Sequence, residues 1–206
     1  MGTRNLTAVF LNGEYKVAQY GQWDGYPDGQ GITCLHFLRD KCDMPRFREA
    51  VSRSSFMTSE ELNALLTEYG MKEDGMISYD DYDRFNRDYP ELSRDSGGKI
   101  LEIIQNSPDG VRLRNNITFA ADSIFCEWAW VVDLDKGTFE GYKGFNHTPL
   151  AEDDRFFFLA EHEDEKDYGG GMAHGVKLAA KWNLDNLPSD AEFLAAFQSD
   201  EEDEAE

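Results

Sequence analysis

Four glycines fall within the eleven residues 21–31 and break up any regular pattern there. Glycine and Pro27 favour turns, so we expect a folded loop rather than regular helix or strand. The same stretch carries Trp23 and Tyr26, which a fully solvated loop has little reason to contain. We predict that both rings are buried as anchors, while the polar side chains beside them stay reachable. Loops held on a rigid scaffold often carry binding or catalytic residues.

A β-hairpin is predicted immediately before this loop. Residues 6–11 and 14–20 are rich in apolar and β-prone side chains, and Asn12-Gly13 lies between them. Asn-Gly readily adopts the positive φ angles that a two-residue hairpin turn requires. The chain is therefore expected to begin with two antiparallel strands.

Helical signals dominate residues 31–105. Thr58 and Glu61 form a capping box before a helix that Gly70 is expected to end. After Gly110 the apolar period changes from that of a helix to that of a strand. Strands are predicted near 111–119, 128–134, 138–143, 156–159 and 176–182, with a closing helix after Ser189.

These elements predict an α+β fold, in which an antiparallel sheet combines the N-terminal hairpin with the C-terminal strands. The helical middle segment is expected to pack on one face of the sheet. No stretch has the composition of a linker, so residues 1–198 are predicted to form a single domain. Residues 199–206 are predicted to be a disordered acidic tail.

The chain is strongly acidic, with 41 Asp and Glu against 20 Lys and Arg and a formal net charge of -21. This charge argues against direct binding to nucleic acid or to an anionic membrane, and no apolar run approaches the ~18 residues of a membrane span. It suits a basic protein partner, but it is also typical of a surface that only keeps a protein in solution. We expect a cytoplasmic protein with reduced cysteines.

Metal and cofactor motifs are incomplete. Residues 70–81 resemble an EF-hand loop, but glycine and lysine occupy two of the positions that need oxygen ligands. His162 and His174 flank the glycine triplet 169–171 without the spacing of a zinc site. That triplet could alternatively belong to a mobile lid over the first loop. We predict no metal and no cofactor.

One candidate binding block precedes a predicted helix. Ser93, Arg94 and Asp95 combine a hydroxyl, a guanidinium and the free backbone N–H groups of a helix start, which suits an anion or a ligand carboxylate. Alternatively, Asp95 or Ser96 only caps the helix.

A second expectation joins this block to the glycine-rich loop. Arg4 and Arg94 are expected to pair with Asp24, because the guanidinium fork binds a carboxylate in a bidentate way and would brace the loop. The predicted binding residues are therefore Arg4, Gln22, Trp23, Asp24, Tyr26, Ser93, Arg94, Asp95 and Glu127.

Two catalytic arrangements remain open. Cys126 and Glu127 could act as nucleophile and base, although a single cysteine in an apolar strand usually belongs to the core. Thr3 could act as an N-terminal nucleophile if Met1 and Gly2 were both removed, because its own amine would then be the base.

Several short blocks spread over most of the chain stand out together: Met1-Gly2-Thr3-Arg4, residues 19–27 with Gly29-Gln30-Gly31, Leu92-Ser93-Arg94-Asp95 with Ile100-Leu101, Phe125-Cys126-Glu127-Trp128-Ala129, and Asp133-Leu134-Asp135. They resemble a family of uncharacterised phage and bacterial proteins, with Gly98 in place of an expected alanine. The resemblance implies a phage or bacterial origin and supplies no activity.

We therefore expect a non-enzymatic binding or interaction protein that is encoded by a phage, acts inside a bacterial cell and binds a host protein. The alternative is a hydrolase-like enzyme, which could be of the N-terminal-nucleophile type, with a cleft formed by residues 21–31. Convergence of the candidate blocks in one concave site would favour the enzyme, and dispersal over the surface would favour a protein partner.

Overall fold

The computed structural model describes residues 2–162 and 173–198. Its strands are β1 Asn5–Leu11, β2 Glu14–Gly21, β3 Ser55–Phe56, β4 Arg112–Leu113, β5 Trp128–Asp133, β6 Thr138–Lys143 and β7 Lys177–Asn183. Five of them form one sheet in the order β2-β1-β5-β6-β7, and β3 pairs with β4. Its α-helices are α1 Ile32–His36, α2 Met44–Arg53, α3 Ser59–Glu68, α4 Tyr79–Asp88, α5 Ile100–Gln105 and α6 Asp190–Ala195. The predicted α+β fold is confirmed.

The predicted hairpin is confirmed. Strands β1 and β2 pair antiparallel, and the turn residues Asn12 and Gly13 have φ angles of 57° and 79°. The N-terminal hairpin also joins the C-terminal strands in one sheet, as expected. The sheet is antiparallel except at its centre, where β1 runs parallel to β5. The long helical segment between these two strands provides the crossover connection that parallel neighbours require.

Both faces of the sheet are covered. Val9 and Trp130 lie on the face that packs against helices α1, α2, α5 and α6. Their direct neighbours in the same strands, Ala8 next to Val9 and Val131 next to Trp130, lie in a second core on the opposite face. Alternation along each strand thus supplies two separate cores. The expected packing of helices on one face is confirmed, and turns and loops cover the other face.

The predicted strand 111–119 is confirmed only at β4, Arg112–Leu113, and its second half and the predicted strand 156–159 are helical turns instead. Residues Ile117–Ala121 and Phe157–His162 form short 3₁₀ helices. In the second segment Phe156 and Leu159 are buried, whereas the two phenylalanines between them are exposed. The two buried residues are three positions apart, which suits a helical turn that covers the second core. All four residues from 156 to 159 are apolar, so the sequence alone does not show which of them are buried.

The helical middle begins and ends largely as predicted. Thr58 and Glu61 form a reciprocal capping box at α3, and Gly70 after that helix has a φ angle of 93°. None of the described helices is long and apolar enough to cross a membrane. The predicted acidic tail 199–206 and the glycine triplet 169–171 lie outside the described residues, as does the side chain of His162.

Candidate functional site

The glycine-rich loop is irregular only in its first half. Residues 22–26 follow β2 without regular structure, but Pro27–Gly31 winds into a π-helical turn that continues directly into α1. The expectation of a loop throughout is therefore wrong for its last five residues. A β-carbon on Gly31 would lie 2.7 Å from the Trp130 ring, so glycine is required there for close approach of the turn to the sheet.

Backbone hydrogen bonds tie the loop to three other segments. Gln22 N–H donates to the Arg94 carbonyl at 2.9 Å, and Gly25 N–H donates to the Thr3 carbonyl at 2.9 Å. The Trp130 indole N–H donates to the Gly25 carbonyl at 3.1 Å. The loop backbone is therefore held in place on both sides of Gly25.

The aromatic side chains of the loop are not buried anchors. Trp23 and Tyr26 expose 47% and 50% of their surface, so the prediction of burial is wrong. The indole ring of Trp23 packs over Gly2, whose added β-carbon would lie 2.3 Å from the ring. Its N–H donates to Asp95 Oδ1 at 2.9 Å. The indole is thus held by Gly2 and Asp95, while about half of its surface remains open to solvent.

Asp24 does not form the expected ion pairs. Its side chain is exposed, its φ angle is 55°, and the described residues contain no hydrogen bond or salt bridge between its carboxylate and Arg4 or Arg94. Its carbonyl accepts a 2.8 Å hydrogen bond from Gln30 N–H. The prediction that arginines brace the loop through Asp24 is therefore wrong.

Arg4 is held by Glu127 and Phe125 rather than by Asp24. Its backbone N–H donates to Glu127 Oε1 at 3.2 Å, and Glu127 N–H donates to its carbonyl at 3.1 Å. Its guanidinium lies 4.4 Å from the centre of the Phe125 ring, in a cation–π contact.

The block 93–95 forms part of the scaffold rather than a helix cap. Asp95 N–H donates to Ser93 Oγ at 3.2 Å, and the Ser93 carbonyl accepts from the Gln19 side chain at 2.7 Å. Ser96 precedes a 3₁₀ turn but makes no side-chain cap bond, and its hydroxyl donates to the Pro90 carbonyl. The alternative that Asp95 or Ser96 caps this helix is not supported.

The candidate residues line separate depressions rather than one cleft. Ser93 and Asp95 line a cavity of about 610 Å³ beside α1 and α5. Arg94 lines a small cavity of about 50 Å³ beside β2. Tyr26 and Glu127 line an open groove of about 450 Å³.

We call this last depression the aromatic–acidic groove. It is lined by Tyr26, Pro27, Asp28, Glu127, Trp128, Lys143, Phe145, Leu194, Phe197 and Gln198. Phe145 is 56% exposed, and its φ angle of 53° is unusual for a phenylalanine. Its N–H donates to the Ser123 carbonyl at 2.8 Å, which holds this backbone in place. Sequence reasoning missed Phe145, because no motif surrounds it.

A buried charged cluster was also missed. Arg155 Nε donates to Glu140 Oε2 at 2.7 Å and its Nη2 donates to Asp133 Oδ2, while Tyr142 donates to Glu140 at 2.6 Å. Asp133 and Glu140 are 0% and 2% exposed. Burial raises the pKa of Glu140, but the hydrogen bonds and charge of Arg155 outweigh this effect and hold the pKa below its usual value. The alternation of β5 and β6 places both carboxylates inward, but only the fold brings Arg155 to them.

Cys126 is unsuited to nucleophilic catalysis. The thiol is fully buried, and its burial, together with the nearby charges of Asp122 and Glu127, raises its pKa well above the usual range. A reactive cysteine needs an accessible, stabilised thiolate. The Cys126–Glu127 arrangement is therefore not supported. Among the described residues, no three His, Cys, Asp or Glu side chains are grouped so that they could hold a metal ion.

Comparison of the chain with protein-family models gives no match, and comparisons with curated proteins and with solved structures give no significant match either. The resemblance to phage and bacterial proteins therefore stays a prediction. The function has to be argued from the geometry alone.

Proposed function

We propose that the protein is a non-enzymatic binding protein that recognises a basic segment of a protein partner through the aromatic–acidic groove. The observation that carries the proposal is the exposure of two aromatic rings, Tyr26 at 50% and Phe145 at 56%, beside a groove lined by carboxylates. Exposed aromatic side chains around a concave surface are typical of binding sites.

The rings are presented on a fixed backbone. Gly25, directly before Tyr26, has both its N–H and its carbonyl in hydrogen bonds, to Thr3 and Trp130. Phe145 is held through its N–H to Ser123. Little conformational entropy is then lost when a partner binds, which favours affinity. The groove volume of about 450 Å³ lies within the range of ~300–1,000 Å³ found for ligand sites.

The charge of the groove favours a cationic partner. Asp28 and Glu127 contribute two carboxylates against the single ammonium of Lys143, in a chain of net charge -21. An arginine or lysine of the partner could stack on an aromatic ring and pair with a carboxylate, and cation–π contacts contribute about 0.5–2 kcal/mol each. An anionic partner would meet repulsion from both the groove and the protein as a whole.

Dispersal of the candidate residues supports binding over catalysis. Ser93 and Asp95 line one depression, Tyr26 and Glu127 line another, and the thiol of Cys126 is buried. If the resemblance to phage and bacterial proteins holds, the protein is phage-encoded and the partner is a host protein inside the bacterial cell.

Affinity capture from a bacterial lysate tests the proposal. The bait proteins are the wild type, the double variant Tyr26→Ala with Phe145→Ala, and the control Tyr79→Ala, which removes an 83% exposed ring on α4 outside the groove. We expect one protein to be retained by the wild type and the control and lost by the double variant. Hydrogen exchange of the complex should then show protection in a Lys- and Arg-rich segment of that protein. Retention by the double variant, or protection of an acidic segment, would contradict the proposal.

A further inference from the structure

A small cavity lies where two segments meet the edge strand β2. It is lined by Gln19, Tyr20, Leu92, Arg94, Arg114 and Asn116 and has a volume of about 50 Å³. Gln22 N–H bonds to the Arg94 carbonyl at 2.9 Å, and Asn116 N–H bonds to the Ala18 carbonyl at 3.0 Å. The walls of the cavity are thus tied by backbone hydrogen bonds to β2 on one side and to the residue that follows β2 on the other.

The cavity contains uncompensated positive charge. The Nε and Nη2 atoms of Arg114 are buried and have no hydrogen-bond partner among residues 2–162 and 173–198. No salt bridge in the described part of the chain involves Arg94 or Arg114. Acids outnumber bases two to one in this protein, so carboxylate partners are in ample supply. Arg114 is partly exposed, but two of its guanidinium nitrogens are buried without a counter-charge, which is destabilising. Arg114 therefore favours an anion that comes from outside the chain.

The same cavity has one unsatisfied acceptor. Gln19 Nε2 donates to the Ser93 carbonyl at 2.7 Å, which fixes the orientation of the amide because the reverse orientation would oppose two oxygens. Gln19 Oε1 is buried and accepts no hydrogen bond from the part of the chain that the structure describes. A ligand that satisfies these unpaired groups must therefore have oxygens that accept hydrogen bonds from arginine and one hydrogen that it can donate to Gln19 Oε1.

We propose that this cavity is a binding site for inorganic phosphate. At neutral pH hydrogen phosphate carries anionic oxygens for the two guanidinium groups and a hydroxyl that can donate to Gln19 Oε1. Sulfate and carboxylates are anionic but have no proton to donate at this pH. A phosphate monoester has a second pKa near ~6, so by pH 8 it has largely lost its last ionisable proton. Water would satisfy the glutamine but would leave the buried nitrogens of Arg114 without a counter-charge.

The size of the cavity agrees with this ligand. A single ordered water needs about 10–15 Å³ of such space, so about 50 Å³ has room for roughly the four oxygens of one tetrahedral ion. A nucleotide or sugar could not enter. Bound phosphate would connect residues 92–94 and 114–116 to strand β2. This site is separate from the aromatic–acidic groove and does not depend on the function proposed for it.

Thermal unfolding at pH 8 and constant ionic strength tests the site, with inorganic phosphate, sulfate and glycerol phosphate as probes. Phosphate at ten times its Kd should raise the Tm by about 3–6 °C, and the other two anions should raise it less. Arg114→Gln should abolish the phosphate response, and it should raise the Tm in phosphate-free buffer because it removes a buried unpaired charge. Arg112→Gln is the matched control, since Arg112 is exposed and pairs with Glu61.

Arg94→Gln provides a second test, because Arg94 is exposed and its replacement should leave folding intact even if Arg114→Gln does not fold. It should weaken phosphate binding at least several-fold in isothermal titration. The Tyr26→Ala with Phe145→Ala variant should bind phosphate as the wild type does. The proposal is overturned if the wild type shows no saturable response to phosphate, if sulfate is equally effective, or if Arg94→Gln binds phosphate normally.

Discussion

The indole N–H of Trp23 donates a 2.9 Å hydrogen bond to the carboxylate of Asp95, a residue 72 positions further along the chain. This bond joins the glycine-rich loop to the block 93–95 and does so without an arginine. The loop is therefore positioned by an indole and by backbone groups, and the carboxylate of Asp24 is left in solvent. As a consequence, the backbone that carries Tyr26 is held in one position.

Substitutions of Asp24 and Trp23 should show which of the two side chains stabilises the loop. Asp24→Asn should change the free energy of unfolding by less than about 0.5 kcal/mol, because the carboxylate has no partner among the described residues and asparagine tolerates the φ angle of 55°. Trp23→Phe should lose about 0.5–1.5 kcal/mol with the hydrogen bond to Asp95. Urea unfolding measures both. A larger loss for Asp24→Asn than for Trp23→Phe would mean that Asp24 braces the loop after all.

The contrast between Asp24 and Trp23 shows what the sequence could predict. The Asn12-Gly13 turn and the Thr58–Glu61 capping box were readable because local geometry decides them. The proximity of the loop to residues 93–95 is predicted from the sequence, but the hydrogen bond between Trp23 and Asp95 that joins them is not. Which donor meets which acceptor across the chain depends on how the segments pack, and nothing in the local sequence records it.

The same limit explains the residues that were missed. Arg155 follows an unremarkable acidic stretch, and its buried partners come from two other strands. Phe145 is one of 14 phenylalanines, and only its exposure and positive φ angle distinguish it. The segment 156–159 was misread because a run of apolar residues fits a strand and a helical turn equally well.

Substitution of Arg155 should show how much the buried charged cluster contributes to the stability of the fold. Arg155→Met leaves the buried Asp133 without its ion-pair partner and leaves the buried Glu140 with only the more exposed Lys181, 3.6 Å away. We therefore expect a loss of about 3–5 kcal/mol in the free energy of unfolding at pH 7. Arg112→Met, which breaks only an exposed pair with Glu61, should lose about 0–1 kcal/mol. Similar losses for the two variants in urea unfolding would show that the cluster contributes little.

The pH dependence of this loss follows from the pKa of Glu140. In the wild type its pKa is lower in the folded protein than in the unfolded chain. Its contribution is therefore complete above about pH 4.3 and is lost as the pH falls through the folded pKa. In Arg155→Met the largest opposing effect is gone, and burial is countered only by the hydrogen bonds from Tyr142 and Thr138 and by Lys181. The folded pKa of Glu140 should therefore be higher than in the wild type, so protonation relieves part of the destabilisation. The difference between the two proteins should narrow from pH 7 to pH 4, and a constant difference would contradict this account.

The three cysteines should react slowly and in a defined order. Burial raises the pKa of Cys34 to about 12 and that of Cys42 to about 11, and the pKa of Cys126 lies well above its usual range. Only Cys42 is partly exposed. Iodoacetamide at pH 7.5 should therefore alkylate Cys42 first, as measured by peptide mass spectrometry. Rapid alkylation of Cys126 would instead revive its pairing with Glu127 as nucleophile and base.

The dissociation constant of the captured partner tests the proposed binding function most directly. Isothermal titration of the purified partner should give at least ~30-fold weaker binding for Tyr26→Ala with Phe145→Ala than for the wild type, the size of effect expected when binding hot spots are truncated. Tyr79→Ala should bind within about 2-fold of the wild type, because exposed residues outside an interface contribute little. If the folded double variant binds the partner as tightly as the wild type and Tyr79→Ala do, the aromatic–acidic groove is not the binding site.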